Sequence, residues 1–222
     1  AWELNDCIQV LKQSPNIELI GIHFHVGSQV KDLNVFKSLC LKVNEFNTWF
    51  ADRGFNLRVL NVGGGLGVDY YYPDEQPMVD FKAYFAIFVQ FLERKKGQEV
   101  HFELGRSLVA ACGTLISRVL YIKKGLKKNF MILDAGMTEL MRPALYQAYH
   151  KIENLSRLGE KAAVNYAVVG PICESTDTFG REVELPESFR GDLVAIRTAG
   201  AYGEVMISRY NLREPIKAVY SA

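Results

Sequence analysis

An α/β region followed by a β-rich region is the fold class that this sequence predicts, and three observations carry it. In the first half, short apolar runs alternate with segments whose apolar residues recur at three- and four-residue steps. The features that end those runs are evenly spaced: 38 positions separate His25 from Gly63, and 38 separate Gly65 from Glu103. After Arg106 the helical period disappears and apolar residues alternate, as they do along a half-buried strand. One helix and one strand per step is the rhythm of a (β/α) barrel or of an open parallel sheet. In both, chemistry lies where strands end.

The elements follow in order. Residues 17–25 read as a buried strand that stops at Gly27. Phe36, Leu39, Cys40, Val43, Phe46 and Phe50 mark an amphipathic helix ended by Arg53-Gly54. Residues 57–60 form a strand that leads into N-V-G-G-G-L-G at 61–67. Asp80 is the N-cap of a helix carrying Phe81, Tyr84, Phe85, Phe88 and Leu92, which runs to Gly97. Residues 99–104 form the next strand. In the second half, residues 115–123, 130–134, 163–169 and 192–198 read as strands, with turn signals at Gly125, Gly136, Gly180 and Gly191. The lysines flanking Gly125 read as solvated turn residues.

With 222 residues the chain is long enough for one large or two small domains, and 49% hydrophobic with 23% charged residues is ordinary for a soluble protein. A net charge of +1 gives no electrostatic reason to expect nucleic acid or an acidic membrane as partner. No apolar run approaches the roughly 20 residues of a membrane span, and the first residues do not read as a signal peptide. Cys7, Cys40, Cys112 and Cys173 are widely spaced, which argues against a zinc site and for a reduced, cytoplasmic setting. The first three read as small apolar fillers.

Several residue groups are suited to chemistry. Glycines directly after a strand let backbone N–H groups close around a phosphate, although the same run also serves as a plain tight turn. His23 and His25 read as core histidines, as a metal-binding pair without acidic support, or as rings that stack on a flat cofactor. Glu103 at a strand end reads as one partner of a structural ion pair with Arg106, or as a carboxylate facing a cationic heterocycle. Arg106 suits a phosphate or carboxylate. G-P-I-C-E-S-T-D at 170–177 sets the Cys173 thiol beside the Glu174 carboxylate. R-P-A-L-Y at 142–146 sets Arg142 near Tyr146, and A-G-A-Y-G at 199–203 sets Tyr202 among small residues.

These blocks, together with G-I-H-F-H-V-G-S-Q at 21–29, E-L-G-R at 103–106 and D-A-G-M at 134–137, resemble the diaminopimelate decarboxylase family. That family belongs to the alanine-racemase-fold (fold type III) pyridoxal-phosphate enzymes. The blocks occur in family order over nearly the whole chain. R-P-A-L-Y with C-E-S-x-D is closer to the diaminopimelate branch than to ornithine or arginine decarboxylases.

The resemblance implies part of a (β/α)8 barrel at 1–108 and a β-rich domain at 109–222. It implies that His25 stacks on the pyridoxal phosphate ring and that Glu103 meets the ring nitrogen. Ser28, Gly63, Gly64, Gly65, Gly105 and Arg106 would surround the phosphate, and Tyr202 would contact cofactor and substrate. Arg106, Arg142, Tyr146 and Glu174 would grip the far end of meso-2,6-diaminopimelate, with Cys173 as proton donor. A homodimer with shared cysteine loops is implied as well.

Two departures stand out. Leu104 replaces the proline of the family's E-P-G-R. The family's Schiff-base lysine motif, which precedes the histidine block, has no counterpart, and the chain supplies roughly three of eight βα steps. The expectation is therefore the C-terminal part of a longer decarboxylase, inactive alone. Alternatives are a non-catalytic relative that binds pyridoxal phosphate or an amino acid, a decarboxylase of a related diamino acid such as carboxynorspermidine, and an interaction domain with remnant residues.

Overall fold

The computed structural model describes residues 2–220, which divide into two compact units. The first comprises residues up to Gly67 together with Asp80–Leu104. The second comprises Val68–Val79 and the chain from Gly105 onward. Among the described residues no helix is long and apolar enough to cross a membrane.

The first unit begins with α1 (Trp2–Gln13), a helix the sequence reading did not anticipate. It continues with β1 (Gly21–His23), α2 (Asn34–Ala51), β2 (Val59–Asn61), α3 (Phe81–Phe91) and β3 (Glu99–His101). The strands form a parallel sheet in the order β1-β2-β3, with Ile22 beside Leu60 and Leu60 beside Val100. Helices α2 and α3 are the crossovers that parallel pairing requires.

The strand expected over 17–25 pairs only at 21–23. In the register that sets His23 beside Asn61, β2 ends where the glycines begin. Beyond it the Phe24 N–H bonds the Asn61 carbonyl at 2.9 Å, and before it the Ile20 carbonyl accepts from the N–H groups of Arg58 and Val59 at 2.7 and 3.0 Å. His23 and His25 are accordingly exposed, not core residues.

α2 buries Phe36, Leu39, Cys40, Val43 and Phe50, as its period requires, while Phe46 is only half-buried. Phe36 meets Tyr84 of α3 edge-on at 4.9 Å, and Phe88 meets Phe102 edge-on at 5.0 Å. Such pairs add about 0.5–1.5 kcal/mol each beyond their buried area. Asp80 caps α3 by accepting the Ala83 N–H at 2.8 Å.

α3 stops at Phe91, short of Gly97. The Asn44 side-chain amide donates to the Phe91 carbonyl at 2.9 Å and accepts from the Glu93 N–H at 2.9 Å, and Leu92 is extended between them. A side chain thus takes the hydrogen bonds that a further helical turn would have used. Nearby, Asn47 and Gln98 form a buried reciprocal amide pair, at 3.0 and 2.8 Å, and Gln98 also donates to the Leu57 carbonyl. Cys40 is buried, which pushes its thiol up to about 11, but Cys7 and Cys112 are exposed and not the fillers expected.

The second unit contains α4 (Gly105–Val109), β4 (Leu115–Lys124), β5 (Asn129–Leu133), α5 (Arg142–Tyr146), β6 (Ile152–Asn154), β7 (Val164–Val169), β8 (Thr178–Leu185) and β9 (Leu193–Ile196). They form a mixed sheet in the order β6-β9-β4-β5-β7-β8, in which β5 and β7 are the parallel pair. β4 serves two neighbours: Leu115–Arg118 pair with β9, and from Val119 on it pairs with β5, across an irregularity at Val119/Tyr121. A bulge of this kind bends a strand.

The sheet curls until its edge strands approach, so that a Cβ on Gly180 of β8 would lie 3.7 Å from Ile152 of β6. Leu115, Val119, Met131, Leu133, Val168 and Ile196 belong to the core cluster of this sheet. β6 and β8 are not legible in the sequence: β6 is too short, and the Gly180-Arg181-Glu182 stretch interrupts the apolar alternation of β8.

The polar clips should rank by burial. Asp80→Ala removes an exposed cap and should cost about 1 kcal/mol. Asn47→Ala leaves the buried Gln98 amide without its partner and should cost more, about 1–3 kcal/mol. Denaturant unfolding of both variants checks this, and a larger loss in Asp80→Ala would contradict it.

Candidate functional site

In the first unit the glycines after β2 meet backbone, not side chains. A Cβ on Gly63 would collide with the Phe24 carbonyl, one on Gly64 with the Glu103 carbonyl, and one on Gly65 with the Gly27 carbonyl. The run therefore lets the ends of three neighbouring chain segments touch. Gly63 donates its N–H to the Asn61 side-chain oxygen at 2.9 Å. Among the described residues, the N–H groups of Gly64 and Gly65 have no acceptor, although Gly64 is buried. Two adjacent donors without a protein acceptor suit an anion such as phosphate.

Glu103 extends from the end of β3. Its Oε1 accepts from the Asn61 amide at 2.8 Å, and its Oε2 lies 3.4 Å from His23 Nε2. The carboxylate is thus held by two neighbours whose backbones pair across β1 and β2. These two holders were not assigned that role from sequence; the parallel register is what brings them to one end of the sheet. His25 is exposed, with its Cα 3.4 Å from where a Cβ on Gly63 would stand, and Ser28 is exposed in the following turn.

In the second unit, α5 is a single turn begun by Arg142-Pro143, where proline fits because its missing N–H is not needed. The turn ends at Gln147, whose left-handed backbone lets its N–H return to the Arg142 carbonyl. The chain doubles back, and Arg142 Nη1 donates to His150 Nε2 at 2.7 Å. His150 Nδ1 pairs with the Arg197 carbonyl at 2.8 Å. The Arg142 guanidinium lies over the Tyr70 ring at 4.6 Å, and the Tyr70 hydroxyl accepts from Arg106 at 2.9 Å.

Arg142 is only 6% exposed, and no described carboxylate pairs with it. Burial, with Arg106 as a nearby like charge, lowers its pKa. Tyr70 and His150 were not singled out by the sequence reading. Nothing in their spacing signals a role, because Tyr70 reaches Arg106 across 36 positions.

Tyr202 has a left-handed backbone, with φ of 56°, and its ring lies 4.8 Å from the Arg106 guanidinium. Tyr146 is exposed one turn beyond Arg142, and Gly105 begins α4 in open space.

Cys173 and Glu174 sit on an exposed loop anchored from below. The buried Asp177 carboxylate accepts the N–H groups of Met137 and Ile172, both at 2.6 Å. Gly136 and Gly170 leave room for it, since a Cβ on either would press against its oxygens. Burial raises the Asp177 pKa, while the two backbone N–H groups act to lower it. Glu174 accepts from the Tyr210 hydroxyl at 2.5 Å, which raises the tyrosine's pKa.

Residues 24–200 match the family described as pyridoxal-dependent decarboxylase, C-terminal sheet domain. A diaminopimelate decarboxylase of Bacteroides thetaiotaomicron is 52% identical over 96% of this chain and 54% of that protein. One from Helicobacter pylori is 40% identical over 91% of this chain and 49% of that protein. Among solved structures, a variant of the Helicobacter pylori diaminopimelate decarboxylase complexed with L-lysine superposes with a TM-score of 0.84 at 37% identity. That match covers 96% of this chain and 52% of the other. The chain spans about half the length of the curated relatives it matches.

Burial holds His150 neutral, pushing its pKa down to about 4 from the ordinary 6.5. Between those values the unfolded chain binds more protons than the folded one, so stability rises with pH through the window. The contribution is complete above about pH 6.5 and lost as pH falls toward about 4, on the order of 3 kcal/mol in all. Unfolding free energies of the wild type relative to His150→Gln across this range check the point. A pH-independent difference would contradict it.

Proposed function

We propose, from the premise that the chain belongs to the pyridoxal-dependent decarboxylase family, that it is the C-terminal portion of a diaminopimelate decarboxylase. In this reading residues 1–108 complete a (β/α)8 barrel and residues 109–222 form the β-rich domain. The reaction is loss of carbon dioxide from meso-2,6-diaminopimelate to give L-lysine. The observation that carries it is the buried Arg142 guanidinium without a described carboxylate partner. A cation kept from internal pairing suits a substrate whose distal end bears a carboxylate.

Pyridoxal phosphate, when bound, supplies an electron sink for the pair left as carbon dioxide departs. The residues of the first unit fit it: the free N–H groups of Gly64 and Gly65, with Gly63 and Ser28, would hold the phosphate, and His25 would lie against the ring. Glu103, held by Asn61 and His23, would keep a proton on the ring nitrogen, the form that draws electrons most strongly.

In the second unit Gly105 and Arg106 are assigned to the phosphate and Tyr202 to cofactor and substrate. Arg142, with Arg106 and Tyr146, would receive the distal carboxylate, and Glu174 the distal ammonium. Cys173 Sγ would deliver the proton to the α-carbon. The Asp177 anchor gives that loop a fixed base. We further propose a homodimer that shares its cysteine loops, working in the cytoplasm.

The chain lacks the family's lysine motif, so the chain alone should release no carbon dioxide from meso-2,6-diaminopimelate when pyridoxal phosphate is supplied. The full-length polypeptide containing it should do so, and Arg142→Ala should lower its kcat/KM by about 100-fold or more. A radiometric or coupled carbon dioxide assay decides. Turnover by the isolated chain, or an inactive full-length polypeptide, would contradict the reading.

A further inference from the structure

Among the described residues, none that bonds or packs on the buried Arg142 guanidinium carries a negative charge. Its Nη1 donates to His150 Nε2 at 2.7 Å, its Nε is buried without a partner, and its plane lies over the Tyr70 ring. Among the described residues, the cation that acts on it is Arg106, alongside the Tyr70 and Tyr146 phenols. A guanidinium can only donate, so Nε2 of His150 must accept. The Arg197 carbonyl can only accept, so Nδ1 must donate to it, at 2.8 Å. Both constraints select the same state, the neutral ring with its proton on Nδ1.

We propose that His150 is a positioning residue: locked by the Arg197 carbonyl, it presents a neutral lone pair that aims the Arg142 guanidinium without cancelling its charge, leaving that charge for the substrate's distal carboxylate. This rests on the reading that Arg142 receives that carboxylate. A carboxylate at position 150 would aim the guanidinium equally well but would pair with it and compete with substrate. The charged and titratable groups facing His150 are Arg142 of α5, Arg106 of α4 and Tyr70 of the 68–79 segment. None of them is an acid that would draw a second proton onto the ring.

Two polar substitutions separate the ring's two contacts. Asparagine reaches where Nδ1 lies and keeps a donor for the Arg197 carbonyl, but leaves Arg142 without an acceptor. Glutamine reaches where Nε2 lies and keeps the acceptor. In the full-length, cofactor-loaded enzyme, His150→Asn should raise KM for meso-2,6-diaminopimelate about tenfold or more, with kcat within about threefold. His150→Gln should stay within about threefold of wild type on both. Equal effects of the two variants, or a wild-type KM in His150→Asn, overturn the proposal.

A second readout needs no turnover. Nitrogen-15 NMR of histidine-labelled wild-type protein should show His150 as the Nδ1–H tautomer from about pH 8 to about pH 5. An Nε2–H tautomer, or ordinary titration, overturns the proposal. If the full-length enzyme does not decarboxylate meso-2,6-diaminopimelate, the functional reading falls, and the tautomer still decides the role of His150.

Discussion

Backbone touching backbone at the ends of parallel strands is the constraint on which the first unit depends. Three glycines in succession meet the carbonyls of Phe24, Glu103 and Gly27. No other residue leaves that space open. Because the segments approach so closely, Glu103 comes within reach of Asn61 and His23. The same closure leaves the Gly64 and Gly65 N–H groups without an acceptor among the described residues. Removing the Cβ thus does two things at once: it draws the strand ends together, and it keeps donors available at the rim where they meet.

The second unit solves a different problem, that of burying positive charge without neutralising it. Arg142 meets the Tyr70 ring face and a neutral imidazole, each of which orients the guanidinium while leaving its charge largely intact. Where this unit needs a fixed point and no charge for a ligand, it pairs fully: Arg197 bonds Asp74 and Glu153, both at 2.6 Å. The Asp177 carboxylate is consumed by two backbone N–H groups beneath the Cys173–Glu174 loop. Paired and unpaired charges are thus sorted by role.

Periodicity made α2, α3 and four of the second unit's strands legible, because their apolar faces repeat locally. The Asp80 cap was legible because it acts within three residues. What could not be read depends on partners far along the chain. Asn44 ends α3 from 47 positions away, and Asn47 meets Gln98 from 51. Asn61 and His23 hold Glu103 only because a parallel register brings three strand ends together. Residues 17–25 have the composition of a longer strand, but the paired register with β2 covers only 21–23, with bonds beyond it only at Ile20 and Phe24. Segment 68–79 contributes Tyr70 to the second unit while lying between two elements of the first, an arrangement that composition does not mark. The site blocks were readable through resemblance, Asp177 among them, whereas the supporting roles of His150 and Asp177 were not.

The strand-end constraint is tested most directly by comparing unfolding free energies of Gly64→Ala and Gly105→Ala in the same protein. A methyl at Gly64 would drive into the Glu103 backbone carbonyl, whereas at Gly105 it would meet open space at the start of α4. The expected result is a loss of about 3 kcal/mol or more for Gly64→Ala, since neither backbone can yield cheaply. Gly105→Ala should be neutral or stabilising by up to about 1 kcal/mol, because alanine favours a helix. Equal stability of the two variants would contradict the account.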